Sequence, residues 1–213
     1  IVLALVKKVK ETYGYEISEL NVGGGFGIKY TTEKRKPYSY FLDPMMERIG
    51  QFFKDEGMTR PAVVIEPGRS IVGEAGITLY TVGSIKDIRG VRKYVSVDGG
   101  MTDNIRPALY QAVYDGVIAN KAEEAKEEVV TICGKCCESG DILIRDIAVP
   151  SPEAGDTFAI FSTGAYGYSM ASNYNKNGIP AVVFVKEGKS ALTVKRQTMD
   201  DLIRNEVIPD SMA

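Results

Sequence analysis

The sequence predicts an α/β segment followed by a mainly β domain, with the change of character at about residue 70. Residues 1–69 alternate helical apolar stripes with short apolar runs, which is the pattern of helices packed on a parallel sheet. Residues 70–213 hold a series of strand-like runs separated by glycine and proline, which is typical of an antiparallel β-barrel or sandwich. We therefore expect two domains, 1–69 and 70–213.

The first helix begins at the first residue of the chain. Apolar residues recur there at helical spacing, and no capping residue precedes them. We therefore expect the chain to be part of a larger protein, cut at or within a helix. The other predicted elements are a strand, a helix with Asp43-Pro44 as an internal start signal, a second strand and a helical insert in the β domain, at residues 16–22, 40–57, 62–65 and 103–116.

Composition excludes several classes of function. The 26 lysines and arginines nearly balance the 28 aspartates and glutamates, so a nucleic-acid or polybasic membrane partner has no support. The absence of histidine excludes Ser-His-Asp hydrolysis, Cys-His proteolysis and His-ligated zinc within this chain. The three cysteines lie within residues 133–137 and cannot form a secreted disulfide framework, so we expect a cytoplasmic protein.

Two turns at the ends of the predicted parallel strands have ligand-binding composition. Glycines in GGGFG, residues 23–27, allow backbone N–H groups to approach an anion such as phosphate, although a tight structural turn has the same composition. In EPGRS, residues 66–70, the Pro-Gly turn lets Glu66 and Arg69 point to one centre, where arginine can bind phosphate or carboxylate. A surface Glu-Arg pair is the alternative.

Two segments of the β domain add aromatic and basic groups. Arg106 and Tyr110 are four residues apart in VDGGMTDNIRPALYQAVY, so a helix would place them on one face; an arginine stacked on a tyrosine in solvent is the alternative. The loop STGAYGYSMASNYN, residues 162–175, contains Tyr166 and can wrap a phosphate or a ring, or simply connect two strands.

The segment GKCCESGD, residues 134–141, places two adjacent cysteines before Glu138. A thioredoxin-like CxxC should open a helix, but here strand-like runs lie on both sides. Zinc binding lacks a fourth soft ligand. These arguments leave one cysteine as an acid or nucleophile, with Glu138 beside it for recognition.

The five loops, in this order, closely resemble those of the fold-type III, alanine-racemase-like pyridoxal-phosphate decarboxylases. GGGFG and EPGR are shared with ornithine and arginine decarboxylases, whereas RPALY with CESGD points to the diaminopimelate decarboxylase branch. The resemblance implies that residues 1–69 are the C-terminal part of a (β/α)8 barrel that binds pyridoxal 5'-phosphate. It implies that residues 70–213 are a β domain carrying the substrate and proton-donor loops.

The resemblance also implies a role for each matching residue. Cys137 would protonate the carbon that loses carbon dioxide. Because neighbours in a strand point to opposite faces, Cys136 would then be an inert inward hydrophobe, as would Cys133. The implied cofactor-binding residues are Gly25, Glu66, Pro67, Gly68, Arg69 and Tyr166. The implied substrate-binding residues are Arg69, Arg106, Tyr110, Glu138 and Tyr166.

The implied function is decarboxylation of meso-2,6-diaminopimelate to L-lysine and carbon dioxide, the last step of lysine biosynthesis, in a homodimer with shared active sites. Arginine for a carboxylate and an acid for an ammonium suit the substrate's far amino-acid head group, and Arg106 with Glu138 supplies that pair. The family's Schiff-base lysine and cofactor-stacking histidine have no match, so we expect the isolated chain to be inactive. The alternatives are a decarboxylase of arginine, ornithine or carboxynorspermidine, and a non-catalytic binding protein of this fold.

Overall fold

The computed structural model describes residues 1–212, which form two compact units, Ile1–Glu74 and the residues from Ala75 onward. The sequence placed the boundary at residues 69 and 70. The first unit extends a few residues further and includes a one-turn helix, Arg69–Val72, which begins at the arginine of EPGR.

The first unit contains helices on a small parallel sheet. Strands β1 (Glu19–Asn21) and β2 (Ala62–Val64) pair in parallel, with Leu20 opposite Val63. Its helices are α1 (Val2–Tyr13), α2 (Tyr38–Asp55) and α3 (Arg69–Val72). The order of helices and parallel strands is as predicted, and both strands end at the glycine-containing turns.

Helix α2 differs from its predicted start. It begins at Tyr38 and runs through Pro44, so Asp43-Pro44 lies within the helix and is not its start signal. The helix packs Ile49 and Phe53 against Val6 of α1 and Leu20 of β1, and each of these four side chains is less than 9% exposed. This apolar cluster fixes both helices beside the strand that leads to the glycine-rich turn.

The second unit is built on one six-stranded sheet. Its strands are β3 (Thr78–Ile88), β4 (Arg92–Val97), β5 (Gly116–Ile118), β6 (Glu128–Cys133), β7 (Ile142–Val149) and β8 (Thr157–Ile160), in the spatial order β5-β8-β3-β4-β6-β7. A helix of five residues, α4 (Arg106–Tyr110), interrupts them. It is shorter than the predicted insert 103–116 because Gln111 ends it in the left-handed conformation, with φ of 53°.

The sheet is mainly antiparallel, as expected, and contains one parallel pair. Strands β4 and β6 pair in parallel, with Val95 opposite Ile132, whereas the other pairs are antiparallel. A parallel pair needs a long crossover connection, and residues 98–127, which include α4 and β5, supply it. The glycine-rich start of this crossover, residues 99–100, therefore lies at the same sheet edge as the end of β6.

The core of the second unit is apolar and closely packed. Phe158, Ile160 and Ile118 are at most 1% exposed, as are Val95 and Val130. Two further strands, β9 (Val182–Lys186) and β10 (Lys189–Val194), form a separate antiparallel hairpin, followed by α5 (Met199–Ile203). Within residues 1–212, no helix is long and apolar enough to cross a membrane.

Candidate active site

The two ligand-binding turns of the first unit are held against each other. The parallel pairing of β1 and β2 brings their ends together, and the Glu66 N–H donates to the Gly23 carbonyl at 2.8 Å. Asn21 links the same turns through its side chain: its Nδ2 donates to Glu66 Oε1 at 2.6 Å, and its Oδ1 accepts from Gly23 N–H at 2.8 Å. Asn21, which the sequence reasoning passed over, therefore orients the Glu66 carboxylate.

Gly24 and Gly25 are each required to be glycine, but for different structural reasons. A Cβ on Gly24 would lie 2.2 Å from the Glu66 carbonyl oxygen, so Gly24 permits the close approach of the two turns. Gly25 has φ of 84°, which L side chains rarely adopt, and no atom lies within 4 Å of the position its Cβ would take. The backbone at Gly25 thus faces open space, as an anion-binding turn requires.

Arg69 begins α3, directly after Pro67 and Gly68. Its guanidinium lies 5.9 Å from the centre of the Tyr30 ring. Its Nε is buried, and within residues 1–212 it has no hydrogen-bond partner. A buried guanidinium N–H without a partner is costly, so this atom marks a position where an anionic oxygen would be stabilised.

Arg106 in the second unit lies between two tyrosines. Its Nη1 donates to the hydroxyl of Tyr114 at 2.8 Å, and its guanidinium is 5.3 Å from the centre of the Tyr166 ring. Tyr114 is 2% exposed, so it holds the arginine from the protein side. Tyr110, predicted on the same helical face, lies at the other end of α4 and is 60% exposed.

Tyr166 has a strained backbone. Its φ is 63°, in the left-handed region that is uncommon for a bulky residue. Such strain persists only when the surrounding structure enforces it, and it is concentrated at functional sites. Here the result is that the half-exposed ring faces the Arg106 guanidinium. The structure thus brings together two of the residues that the resemblance assigned to the substrate.

The two adjacent cysteines lie in a loop, which corrects the argument from strand alternation. Strand β6 ends at Cys133 and β7 begins at Ile142, so Cys136 and Cys137 belong to neither strand. Their environments nevertheless differ: Cys137 is exposed, whereas Cys136 is partly buried and its sulfur accepts from Asn177 Nδ2 at 3.7 Å. Burial, followed by the nearby Asp141 carboxylate, raises the pKa of the Cys136 thiol and keeps it neutral.

Glu138 has a partner that the sequence reasoning missed. The hydroxyl of Tyr174 donates to Glu138 Oε1, and this hydrogen bond raises the pKa of Tyr174. Tyr174 lies in the GAYGYSMASNYN loop, so the only sequence signal was a third tyrosine in a segment already assigned to the site. The Tyr174–Glu138 bond joins the two loops that carry the predicted acid and Tyr166.

The structure therefore places predicted site residues in three groups. The first unit holds the GGGFG turn, Glu66 and Arg69. In the second unit, Arg106 contacts Tyr166, and Glu138, next to Cys137, is bonded to Tyr174 in a separate contact. Within residues 1–212, no group of three or more histidine, cysteine, aspartate or glutamate side chains is arranged to hold a metal ion. The first-unit group suits a phosphate, the Arg106 guanidinium suits a carboxylate, and the Glu138 carboxylate suits an ammonium group.

The chain belongs to the pyridoxal-dependent decarboxylase family. Residues 12–164 match the family model described as "Pyridoxal-dependent decarboxylase, C-terminal sheet domain". Over 196 residues the chain is 52% identical to the diaminopimelate decarboxylase of Bacillus subtilis, in an alignment that covers 92% of this chain and 45% of the relative. It is 51% identical over 195 residues to the enzyme of Staphylococcus aureus, covering 91% of this chain and 46% of the relative.

Solved structures agree in fold. The crystal structure of diaminopimelate decarboxylase from M. jannaschii in complex with L-lysine matches with a TM-score of 0.88 and 38% identity, covering 100% of this chain and 48% of that one. This match confirms the predicted fold class, an α/β segment followed by the β domain of the fold-type III decarboxylases. The chain spans about half the length of the relatives that it matches.

Proposed function

We propose that the intact protein decarboxylates meso-2,6-diaminopimelate to L-lysine and carbon dioxide, with pyridoxal 5'-phosphate as cofactor. The single observation that carries this proposal is that the second unit anchors both charges that the far head group needs: the Arg106 guanidinium is held by Tyr114, and the Glu138 carboxylate is held by Tyr174. In the proposed dimer, Arg106 of one copy and Glu138 of the other meet at the same head group. A substrate with an amino acid at each end needs both charges at its far end. The similarity to diaminopimelate decarboxylases over most of the chain supports the same substrate.

The first-unit residues fit the cofactor. The Gly25 backbone, with its positive φ and open surroundings, would bind the phosphate, together with the unpartnered Nε of Arg69. Pro67 and Gly68 shape the turn between Arg69 and Glu66, and Asn21 holds the Glu66 carboxylate in place to pair with the protonated ring nitrogen. When bound, pyridoxal phosphate supplies a ring that accepts the electron pair released with carbon dioxide.

The second-unit residues would bind and orient the substrate. Arg106 would pair with the far carboxylate; Tyr166 would pack against both substrate and cofactor, and Tyr110 would add a hydroxyl from the same helix. Glu138 of the other copy in the dimer, held by its Tyr174, would accept hydrogen bonds from the far ammonium group. A site with both charges discriminates strongly against substrates that lack either partner, because the bound substrate would then cover a charge that it leaves unpaired.

Cys137 would donate the proton that replaces the lost carboxylate. It is the exposed member of the cysteine pair and stands directly before the substrate-binding Glu138. Cys136 is less suited, since its raised pKa and its contact with Asn177 come from a partly buried position. A positioned acid that delivers a proton to one fixed atom increases the rate of that step by a large factor.

We also propose that the active protein is a homodimer in which Cys137 and Glu138 of one copy complete the active site of the other. The resemblance to the fold-type III decarboxylases supports this arrangement. A cytoplasmic location belongs to the same proposal, because all three cysteines are free thiols and suit a reducing compartment.

Product analysis with the intact, cofactor-loaded protein tests the proposal. Meso-diaminopimelate, L-arginine, L-ornithine and carboxynorspermidine are supplied separately, and amino-acid and amine products are identified by mass spectrometry. We expect L-lysine from diaminopimelate, with at least 100-fold lower turnover of the others. Preferential turnover of one of the other compounds would show that this compound, and not diaminopimelate, is the substrate. Turnover of none of them would favour a non-catalytic binding protein.

A further inference from the structure

Tyr38, the first residue of α2, contacts both ligand-binding turns of the first unit. Its ring packs edge-on against the ring of Phe26 in GGGFG, with the two ring centres 5.2 Å apart. Its hydroxyl forms a hydrogen bond of 2.8 Å with the hydroxyl of Ser70 in EPGRS. One side chain therefore joins two turns that are far apart in the sequence.

The helix that carries Tyr38 is anchored along its length. Phe41 lies three residues later, on the same face, and its ring also packs against Phe26, with the ring centres 5.7 Å apart. The second half of the helix is held by Ile49 and Phe53 in the apolar core of the first unit. Tyr38 is therefore presented to the two turns by a fixed element.

Each contact of Tyr38 lies beside a group that we assign to the cofactor phosphate. Phe26 directly follows Gly25, whose backbone faces open space, and its ring is only 6% exposed. Ser70 directly follows Arg69, whose buried Nε has no hydrogen-bond partner within residues 1–212. Holding Phe26 and Ser70 in place therefore restricts the movement of the two phosphate-binding groups.

We propose that Tyr38 is a positioning residue for the cofactor phosphate. The bond from the Glu66 N–H to the Gly23 carbonyl joins the two turns where their strands end, and Tyr38 joins them again further along each turn. It acts through the turns, by keeping the Gly25 backbone and the Arg69 guanidinium in the arrangement that phosphate binding needs. The proposal rests on the proposed function, because it takes pyridoxal phosphate as the ligand of the turns.

Tyr38→Phe tests this inference in the intact protein after removal of the cofactor. The substitution removes the hydroxyl and leaves the ring against Phe26. We expect the Kd for pyridoxal phosphate, measured by absorbance titration, to rise about 5-fold, because a neutral hydrogen bond is worth about 2- to 10-fold and loosened turns are less often in the binding arrangement. The Kd for pyridoxal, which lacks the phosphate, should stay within twofold.

Two further variants separate positioning from general destabilisation. Ser70→Ala removes the other half of the hydrogen bond and should raise the Kd for pyridoxal phosphate by a similar factor. The double variant should bind no more weakly than either single variant, because the same bond is lost only once. Tyr40→Phe is the matched control: it removes a hydroxyl two residues away on the same helix, from a ring that is 59% exposed, and should change neither Kd.

Hydrogen exchange provides a readout that does not depend on the cofactor. In the cofactor-free Tyr38→Phe protein, exchange should accelerate together in residues 23–28 and 66–72, since both turns lose the same joint. Tyr40→Phe should leave exchange in both segments unchanged. Acceleration in only one of the two segments would show that Tyr38 does not join them.

The inference is wrong if Tyr38→Phe leaves the Kd for pyridoxal phosphate within twofold of that of the unaltered protein, or if it weakens pyridoxal binding as much. It is also wrong if Ser70→Ala weakens binding while Tyr38→Phe does not, because the Ser70 hydroxyl would then bind the phosphate directly. If the unaltered protein binds no pyridoxal phosphate, the proposed function fails, and hydrogen exchange still decides whether Tyr38 joins the two turns.

Discussion

Replacing Cys137 with alanine in the intact protein should lower kcat by 100-fold or more, because it removes the proposed proton donor. A positioned acid contributes about 10²- to 10⁴-fold to a rate. The lower end corresponds to about 2.7 kcal/mol of transition-state stabilisation. KM should change less than threefold, since Arg106 and Glu138 remain anchored by Tyr114 and Tyr174.

Cys136→Ala is the matched control, one residue away in the same loop. Its sulfur is partly buried and accepts a single long hydrogen bond, from Asn177 at 3.7 Å. Losing roughly one methylene equivalent of burial costs at most about 0.8 kcal/mol, which is about 2–3 °C in melting temperature for a domain of about 200 residues. Its kcat should stay within twofold of the unaltered protein.

The assay is steady-state release of carbon dioxide at saturating diaminopimelate, with cofactor content measured by absorbance for each variant. Equal cofactor content in the variants would show that any loss of kcat comes from the chemical step and not from loss of bound cofactor. If Cys136→Ala abolishes turnover while Cys137→Ala retains it, the assignment of the two cysteines is reversed, and the role of Glu138 is then wrong as well.

Three further predictions concern the turns, the far head group and acid stability. Gly25→Asp should abolish cofactor binding, measured by absorbance, because a carboxylate would repel the phosphate and φ of 84° disfavours any side chain. Tyr174→Phe should raise KM for diaminopimelate about 10-fold with kcat within threefold, since it frees the Glu138 carboxylate. Glu128→Gln should lower the melting temperature by about 2 °C at neutral pH, because it removes the ion pair with Lys93.

The Glu128 effect should vanish in acid. Lys93 and the Ser151 hydroxyl hold the pKa of Glu128 below its usual 4.5, so its stabilisation is present above that pH and is lost as pH falls through the lowered pKa. A constant difference in melting temperature down to pH 3 would contradict this assignment.

For Gly25, Gly27→Ala is the control with open surroundings and no positive φ; unchanged cofactor content in Gly25→Asp would make GGGFG a structural turn only. An unchanged KM in Tyr174→Phe would show that Tyr174 has no part in binding the substrate.

Local patterns were sufficient to find the turns but not the contacts between them. Glycine and proline mark GGGFG and EPGR directly in the sequence, and the parallel alternation of elements predicts that these turns lie at one sheet edge. The Asn21–Glu66 bond joins residues 45 apart, and a single asparagine carries no signal of that partner. The same holds for Tyr174 and Glu138, which are 36 residues apart.

Errors arose where the backbone left its regular geometry. The alternation argument for the cysteines failed because β6 ends at Cys133 and a loop follows. Within that loop, the Cys136 N–H donates to the Asp141 carboxylate and not to a neighbouring strand. The helical insert ended early because Gln111 adopts a left-handed conformation, which glutamine rarely does and which no local pattern indicates. The parallel pairing of β4 and β6 is likewise set by the long crossover, so strand composition alone could not predict it.

The decisive measurement is the product formed from meso-diaminopimelate by the intact, cofactor-loaded protein in deuterium oxide. We expect L-lysine and carbon dioxide in a 1:1 ratio, with one non-exchangeable deuterium at the carbon that lost its carboxylate. That deuterium reports a single enzyme-controlled protonation, the step assigned to Cys137. No lysine, or an amine formed from a different amino acid in preference, would contradict the proposed function.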